Sequence, residues 1–397
     1  MSNILIGMNA RPAKLVKVLG QPSWRVAASQ VEVHVTRTGG HLAPVIFDRG
    51  GRRFSPYSVA PWAEEKTQTP IPPVLKVLRG DFFCMPFGGN ETPVQGEQFP
   101  AHGETANAPW HFESMESADG LSTLHLSLQT TVRPGRVDKR IRLKDGQNAI
   151  YSEHILSGMK GPMSPGHHAM LRFPNAPASG VISTSPFVHG QVLPTPFENP
   201  AQRGYSYLKP GALFTNLDQV PTLTGDPADL THYPARRGFE DLVMMVSDPS
   251  LPFAWTAVTF PKVRAVWFSL KDPRILRETV FWLSNGGRHY EPWNGRHINI
   301  MGLEEVTSYF HYGLAESVAK NPISQNGHPT HLMLDPRNPL RVPYIMIMTS
   351  IPAGFDRVAD IVAAPDQHSV SLISTSGKRV KVPVDLDFIT APPELPA

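Results

Sequence analysis

The sequence predicts an all-β protein whose main part is a large antiparallel β-sandwich, and three observations support this fold class. Apolar and polar residues alternate with a period of two, as at Val31, Val33 and Val35, which is typical of half-buried strands. The chain has 41 prolines and 31 glycines, which punctuate these runs as turn formers. Long helical patterns are scarce, so the helical crossovers that parallel strands require are missing and antiparallel pairing is expected.

The predicted strands follow one another at short intervals along the chain. They are expected around Val31 to Val35, Leu124 to Leu128, Ile141 to Leu156, Leu242 to Val246, Val263 to Leu270, Thr279 to Leu283 and Ile298 to Leu303. Tight reversals are expected at Gly39-Gly40, Asp145-Gly146 and Asn285-Gly286-Gly287, because these residues tolerate positive φ. Residues 174–234 are rich in Pro, Gly, Ser and Thr. They predict long excursions between strands, of the kind that often build binding sites.

The chain is predicted to have three segments: a lead-in over residues 1–24, the sandwich over 25–320, and a linker with a β-rich extension over 321–397. The segment NPISQNGHPTH, which starts at Asn321, has the composition of a linker. Beyond it, Tyr344 to Met348 and the alternation from Val380 to Phe388 predict strands of a small C-terminal β-appendage, with a hairpin turn at Gly377. The final PPELPA predicts a frayed tail.

Composition excludes several classes of protein. With 41% hydrophobic and 18% charged residues among 397, the chain can bury a sizeable core and is not expected to be disordered. The formal net charge of +3 comes without a Lys/Arg block, so a nucleic-acid partner is not expected. A single cysteine, Cys84, excludes an intrachain disulfide framework. No signal-like N-terminus and no long apolar run is present, so a cytoplasmic protein without a membrane partner is predicted. Its oligomeric state is not predicted.

Two segments in the first third of the chain carry polar residues that packing alone does not readily explain. The first, LRGDFFCMPFGGN, contains Arg79 and Asp81. A guanidinium beside an apolar strand needs hydrogen-bond acceptors, and a bound polyol or an anionic sugar would supply them; a buried strand leading into a glycine turn explains the segment equally well. The second, FPAHGETANAPWHF, contains His102 and Trp110, and a lone histidine is more often structural than catalytic.

Two further segments, SPGHHAMLRFP and PWNGRHINIMGLEEVTSYFH, each contain a pair of adjacent ionisable residues. Adjacent residues on a strand point to opposite faces, so at most one of His167 and His168 faces a shared site. The same holds for Glu304 and Glu305. A carboxylate at the end of a buried strand is costly without a partner, so it is either salt-bridged or functional. The neighbouring Trp293 offers a flat face for a sugar ring, or fills the core.

Other chemistries lack their motifs. The sequence contains no GxGxxG after a strand, no GxxxxGK[ST], no HExxH and no CxxC, and no GxSxG nucleophile elbow. The spacing of His102, His111 and His168 does not predict a zinc site. Neither a metal nor another cofactor is expected.

Taken in order, these segments resemble the galactose mutarotase-like superfamily, in particular its aldose 1-epimerases and hexose-6-phosphate mutarotases. Four stretches carry the resemblance, which spans roughly residues 25–320: Arg79 to Gly88, His102-Gly103 followed by Trp110, His168 to Phe173, and Gly302 to Ser308. The chain departs from the family pattern at Asp81, at Glu104-Thr105-Ala106 and at Met170, so its sugar pocket is expected to differ from that of a galactose enzyme.

The resemblance implies a β-supersandwich enzyme that interconverts sugar anomers without a cofactor. Such a reaction removes the proton of the anomeric hydroxyl while the ring oxygen receives one, so one base and one acid suffice. On this hypothesis Glu304 is the base and His168 the acid. Arg79, Asp81, His102 and His167 are candidate polar contacts to the sugar, and Trp110 or Trp293 would stack on it.

Two other functions remain open at this point. A carbohydrate-binding protein would keep the sandwich and its cleft but have no turnover, and a lyase or glycosidase would use the same fold on an oligosaccharide. Fold alone does not choose among them, because function depends on the site. The phosphorylation state of the sugar also remains open. A phosphosugar is expected if Arg79 and Arg172 both face the pocket, and a neutral sugar if both point away.

Overall fold

The computed structural model describes residues 14–67 and 69–390. Its strands are, in chain order, β1 (Val16–Val18), β2 (Gln21–Ala27), β3 (Val31–Thr36), β4 (Leu42–Phe47), β5 (Phe83–Cys84), β6 (His111–Ala118), β7 (Leu121–Thr130), β8 (Gly135–Lys144), β9 (Ala149–Ser157), β10 (Gly161–Met163), β11 (Gly166–Arg172), β12 (Gly180–Thr184), β13 (Phe187–Val192), β14 (His232–Tyr233), β15 (Phe239–Ser247), β16 (Ala254–Phe260), β17 (Ala265–Lys271), β18 (Glu278–Asn285), β19 (Ile300–Val306), β20 (Leu332–Leu334), β21 (Leu340–Ser350), β22 (Val358–Ala363), β23 (Ser369–Ser374) and β24 (Arg379–Pro383).

Helices are few and short. The α-helices are α1 (Pro73–Val77), α2 (Leu314–Val318), α3 (Pro322–Gln325) and α4 (Asp387–Thr390), and single 3₁₀ turns lie at Glu104–Ala106 and Pro200–Gln202. No helix among the described residues is long and apolar enough to cross a membrane.

Two large antiparallel sheets form the sandwich. One has six strands in the order β13-β15-β18-β19-β11-β5, and the other has nine in the order β14-β12-β16-β17-β21-β9-β8-β7-β6. A four-stranded sheet (β1 to β4), a two-stranded sheet (β10 with β20) and a three-stranded sheet (β22 to β24) accompany them. The named strands pair antiparallel throughout, and the predicted all-β sandwich is confirmed.

Five of the six strands of the six-stranded sheet, all but β13, contribute to two separate apolar clusters, because successive side chains point to opposite faces. Val243, Phe281 and Leu303 point toward the nine-stranded sheet and join the main core. Leu242 and Val280 point the other way, into a second cluster that the long connections after β4 and β18 cover. Both faces are therefore buried, which explains why β18 and β19 consist entirely of buried residues.

The sandwich extends well beyond residue 320, where the sequence-based boundary was placed. Strand β21 lies in the middle of the nine-stranded sheet, paired on one side with β17 and on the other with β9. The boundary failed because an apolar strand carries no sign of which partners it will pair with. A linker-like composition at 321–331 covers only helix α3 and a turn.

The C-terminal appendage is the sheet of β22, β23 and β24. Val370 and Leu372 of this sheet pack in one cluster with Phe268 and Ile345 on the outer face of the nine-stranded sheet. The predicted hairpin at Gly377 joins β23 to β24. The strand predicted to reach Phe388 ends at Pro383, and helix α4 follows it.

Both chain ends lie in part outside the described residues. The predicted lead-in over 1–24 includes residues 1–13, which are not described, while β1 and the start of β2 place its remainder in the four-stranded sheet. The predicted frayed tail, PPELPA, also lies outside the described residues. The stretch 174–234 contains β12, β13 and β14, with long connections between them.

Candidate functional site

The register of β11 against β19 brings His168 and Glu304 directly opposite each other. Residues opposite each other in an antiparallel pair have Cβ atoms about 4.5–5.5 Å apart on the same face. The imidazole Nε2 of His168 lies 3.3 Å from the carboxylate Oε1 of Glu304. Both side chains are almost fully buried, on the face of the sheet that the long connections cover.

These two groups lie in a hollow of about 110 Å³. Its polar side chains are His102, His168, Arg288, Glu304 and His311. Its apolar walls come from helix α1, from the connections and from strands β15 and β18, and consist of Val74, Leu75, Leu78, Phe197, Leu242, Trp282 and Trp293. The hollow therefore presents a few ionisable groups within apolar walls, as small-molecule sites commonly do.

Burial pushes the pKa values of the central pair toward each other. Desolvation raises the pKa of Glu304 well above its ordinary value, and the charge of Arg288 only partly offsets this. Desolvation, with the nearby His102, lowers the pKa of His168 well below its ordinary value. An exposed histidine would hold a proton more tightly than an exposed glutamate; in this hollow that preference is reduced or reversed, so the two groups can share one proton.

Arg288 is the cation that lines the hollow. Its Nε donates to Glu198 Oε1 at 2.5 Å, so one carboxylate already balances its charge. The guanidinium carbon lies 4.6 Å from the ring centroid of Trp293 and 5.4 Å from that of Trp282. This aromatic surround fixes the orientation of the guanidinium.

Two other histidines complete the polar end of the hollow. The ring of His102 lies with its centroid 5.1 Å from that of His168, and its Nδ1 lies 3.4 Å from Cys84 Sγ. Desolvation lowers the pKa of His102 to about 4, and that of His311 to about 3 with help from His102 and Arg288. Both are therefore neutral near pH 7 and act as hydrogen-bonding groups.

Solved structures with a similar fold cover most of this chain. A galactose mutarotase related enzyme from Lactobacillus acidophilus is 13% identical, with a TM-score of 0.53, over 83% of this chain and 97% of that one. Galactose mutarotase-like proteins from Clostridium acetobutylicum and Lactobacillus casei are each 10% identical, with TM-scores of 0.55 and 0.53. The match to the Clostridium protein covers 85% of this chain and 98% of that one, and the match to the Lactobacillus casei protein covers 82% of this chain and 100% of that one. The chain has the galactose mutarotase-like fold. No protein-family model and no curated protein matches it by sequence.

The galactose mutarotase-like fold brings four of the eight sequence-predicted site residues together. His102, His168, Trp293 and Glu304 all line the hollow. They come from four separate parts of the chain: the connection after β5, strand β11, the connection after β18 and strand β19.

Arg79 and Asp81 do not line this hollow, which corrects their assignment as sugar contacts. Arg79 is fully buried and donates to the backbone carbonyls of Val18, Leu19 and Val77. Backbone oxygens thus supply the acceptors that a bound sugar was expected to provide. Asp81 accepts from His167 on the opposite face of the six-stranded sheet.

Trp110 and His167 also lie outside the hollow. Trp110 donates from its indole nitrogen to the carbonyl of Thr105, and the Lys139 ammonium lies 5.8 Å from its ring. His167 points between the two large sheets, as expected from the alternation with His168, and its Nδ1 lies 2.9 Å from Asp81 Oδ2. These residues hold the interior together instead of facing the hollow.

Glu305, unlike the adjacent Glu304, forms an ion pair in the interior of the sandwich. It forms an ion pair with Lys271 at 2.6 Å between the two sheets, and it accepts from Thr256, Ser269 and Thr279. A buried charge with this many partners is satisfied within the fold. Of the two adjacent glutamates, only Glu304 faces the hollow.

Sequence reasoning missed Arg288, His311 and Trp282. Arg288 directly follows the predicted turn Asn285-Gly286-Gly287, and His311 ends the segment that contains Glu304. A charged residue immediately after the turn of a buried hairpin was the available signal for Arg288. Nothing local distinguished His311, whose position depends on how the connection after β19 folds back.

Within residues 14–67 and 69–390, no group of three His, Cys, Asp or Glu side chains is placed to hold a metal ion. A larger hollow, of about 540 Å³, lies beside Arg172, and its lining is separate from that of the His168 and Glu304 hollow.

Proposed function

We propose that this protein is an aldose 1-epimerase-like enzyme that interconverts the anomers of a neutral sugar. The observation that carries the proposal is the 3.3 Å separation of His168 Nε2 from Glu304 Oε1 inside a hollow with apolar walls. An acid and a base in contact can serve two oxygens bonded to one carbon, and the anomeric hydroxyl and the ring oxygen of a sugar are such a pair.

The proton balance of the reaction fits a pair that shares one proton. In the ring-opening step, Glu304 as carboxylate accepts the proton of the anomeric hydroxyl, and His168 as imidazolium donates one to the ring oxygen. The C–O bond of the ring breaks, and the aldehyde forms. The pair is then a neutral imidazole and a neutral carboxylic acid. After the aldehyde rotates, ring closure returns both protons and restores the starting state.

The pKa shifts support this cycle. The charged and neutral forms of the pair must be close in free energy, because the reaction passes through both in each turnover. Desolvation raises the pKa of Glu304 and lowers that of His168, which brings these forms closer than they are for exposed groups. An acid and a base matched in this way transfer protons efficiently in both directions.

The remaining residues of the hollow position the sugar in this proposal. His102 and His311 offer neutral ring nitrogens to hydroxyl groups, and Arg288 has guanidinium hydrogens that Glu198 does not use. Leu75, Leu78 and the tryptophans exclude water, so the polar contacts act in a low dielectric.

The proposal is tested by replacing Glu304 with glutamine, which keeps the size of the side chain but removes the base. Anomer exchange of a panel of neutral aldoses is followed by NMR saturation transfer. We expect Glu304→Gln to reduce the acceleration by about 100-fold or more, the loss typical of a general acid–base group. Unchanged exchange in this variant would falsify the role of Glu304.

Glu65→Gln is the matched control, since Glu65 is exposed and pairs with Arg296 at the surface. This variant should exchange anomers at the wild-type rate. If wild-type protein binds sugars without accelerating exchange, it is a carbohydrate-binding protein; if it releases products from oligosaccharides, it is a lyase or hydrolase. Either result would overturn the proposal.

A neutral sugar is expected to be preferred over its 6-phosphate. Arg79 is occupied by backbone carbonyls and Arg172 lines the other hollow. Arg288 is already balanced by Glu198, so a phosphate dianion would lack an unpaired cation among the lining residues. Exchange rates measured for glucose and glucose 6-phosphate side by side should show acceleration for the neutral sugar alone. Anomer exchange of glucose 6-phosphate at the same rate as glucose, or faster, would contradict the expectation that no unpaired cation lines the hollow.

A further inference from the structure

The larger hollow lies at the far end of the strands that carry His168 and Glu304. Arg172 lines it and pairs with Ile300 across β11 and β19, four residues from the pair of His168 with Glu304. At about 3.3 Å per residue, this is about 13 Å along the strand. The volume of about 540 Å³ lies in the range of sites for small organic molecules.

The walls of this hollow are mainly apolar. Phe54, Phe173, Phe260 and Met348 are buried side chains that line it. Phe260 and Met348 belong to the nine-stranded sheet, Phe173 directly follows β11, and Phe54 lies in the connection after β4. The hollow therefore lies where these three parts of the fold meet. A ligand that fills it would gain affinity from an apolar body.

Positive charge surrounds the same hollow without a balancing carboxylate. The Arg172 guanidinium is exposed and has no hydrogen-bond or ion-pair partner within the described chain. Arg52 donates to the backbone carbonyls of Val263 and Arg264, and Arg237 donates to Asn175. Val263 and Asn175 are lining residues, and no acidic residue lines the hollow.

Several arginines elsewhere in the described chain are balanced by a carboxylate. Arg133, Arg296 and Arg341, for example, each bind a carboxylate, of Glu97, Glu65 and Glu153 respectively. Three arginines without a carboxylate partner, gathered around one apolar hollow, create a local excess of positive charge. Such an excess attracts an anion, and a guanidinium binds a carboxylate through two parallel hydrogen bonds.

We propose that this hollow is a binding site for an organic anion with an apolar body, of the class of medium-chain carboxylates. The carboxylate binds Arg172 at the rim, with Arg52 and Arg237 adding to the local field. The chain of the ligand packs against Phe54, Phe173 and Phe260. This site is separate from the proposed sugar site, so it stands or falls independently of the proposed activity.

Binding of three ligands to the wild-type protein distinguishes the contribution of a ligand's charge to affinity from that of its apolar body. Isothermal titration calorimetry is carried out with octanoate, 1-octanol and acetate at low salt. We expect octanoate to bind at least about tenfold more tightly than 1-octanol, because a hydrogen bond to a charged group contributes more than a neutral one, and we expect acetate to give no measurable heat. Equal binding of octanoate and 1-octanol, or no binding of octanoate, overturns the proposal.

Two variants locate the site. Arg172→Gln should weaken octanoate about tenfold and leave 1-octanol unchanged, and Val263→Asp should weaken octanoate by placing a negative charge at the partly exposed wall. Arg337→Gln is the control, because Arg337 is exposed and distant from the lining residues in the fold. Wild-type affinity for octanoate in both Arg172→Gln and Val263→Asp would show that octanoate binds elsewhere and overturns the assignment.

Discussion

Three carboxyl groups of the six-stranded sheet are buried without an ion pair inside the described chain. Desolvation raises the pKa of Glu240 and Asp241 to about 7, and that of Glu278 to about 8. Each accepts hydrogen bonds from neighbouring groups, as Glu278 does from the backbone N–H of Ser308. These hydrogen bonds do not compensate for the lost hydration, so at pH 7 Glu278 is mostly protonated in the folded protein, and Glu240 and Asp241 are about half protonated.

Stability is expected to fall as the pH rises from about 6.5 to 8. A group whose pKa is higher in the folded state stabilises that state fully below its unfolded pKa and loses this contribution as the pH passes its folded pKa. Histidines with lowered pKa values, such as His102 and His311, act in the opposite direction, but only below about pH 6.5, where the unfolded chain takes up their protons. Above that pH the carboxyl groups dominate. Urea unfolding at pH 6.5 and 8.5 measures the difference.

Glu278→Gln should remove part of this pH dependence. The amide keeps the acceptor for Ser308 and never ionises, so at pH 9 we expect the variant to be more stable than wild type by a few kcal/mol, given about 1.4 kcal/mol for each tenfold change in proton affinity. At about pH 4.5 and below, where an unfolded glutamate is also protonated, the two proteins should unfold at similar urea concentrations, and the difference between them should grow as the pH rises to about 8. A variant that follows the wild-type pH profile would mean that Glu278 is ionised in the folded protein.

A glycine of strand β19 leaves the space in which the carboxylate of Glu304 lies. Gly302 lies two residues before Glu304, so both point to the same face. A Cβ at Gly302 would lie 2.3 Å from Glu304 Oε1 and 3.1 Å from the Cβ of Trp282. The carboxylate therefore occupies space that any other residue at position 302 would fill.

Gly302→Ala should displace the Glu304 carboxylate without unfolding the sheet, since the end of a flexible side chain can move. We expect anomer exchange to fall by about tenfold or more, because a displacement of about 1 Å can cost about 100-fold in rate, while the melting temperature changes little. The control is Gly50→Ala, where an added Cβ would meet nothing within 4 Å. Full activity in Gly302→Ala would show that catalysis does not depend on this position of the carboxylate.

The alternation along strands made part of the site predictable from sequence. It requires that one member of each adjacent pair, His167 with His168 and Glu304 with Glu305, faces away from any shared site. It does not tell which member faces it, nor that β11 pairs with β19, because both depend on partners far away in the chain. The acceptors of Arg79 were unpredictable for the same reason: two of them belong to residues 18 and 19.

The overall fold was more predictable than its division into segments. Period-two alternation and turn residues are local signals, and they identified most strands of the two large sheets. The order of strands in a sheet is a non-local property, so the position of β21 between β17 and β9 could not be derived from the composition of the segment before it.

Truncated chains test whether the sandwich ends near residue 320, as the sequence predicts, or includes β21, as the structure has it. A chain that ends at residue 330 lacks β21, so β17 and β9 lose their shared partner and Tyr344 and Met346 leave the core. We expect this chain not to fold, as judged by near-ultraviolet circular dichroism. A chain that ends at residue 352 should keep the sandwich but expose the apolar face that β22 to β24 cover, and should bind a hydrophobic dye. A folded, soluble 1–330 fragment would restore the boundary near residue 320.

The central position of β21 also affects how the protein is made. A ribosome delivers the chain from its N-terminus at about 5–20 residues per second, so β9 and β17 emerge long before the strand that joins them. Until then the nascent protein has two open edges of hydrogen-bonding groups, which can pair with other chains. Completion of the nine-stranded sheet must wait for nearly the whole polypeptide, and chaperones that shield strand edges during translation are expected to raise the yield of native protein.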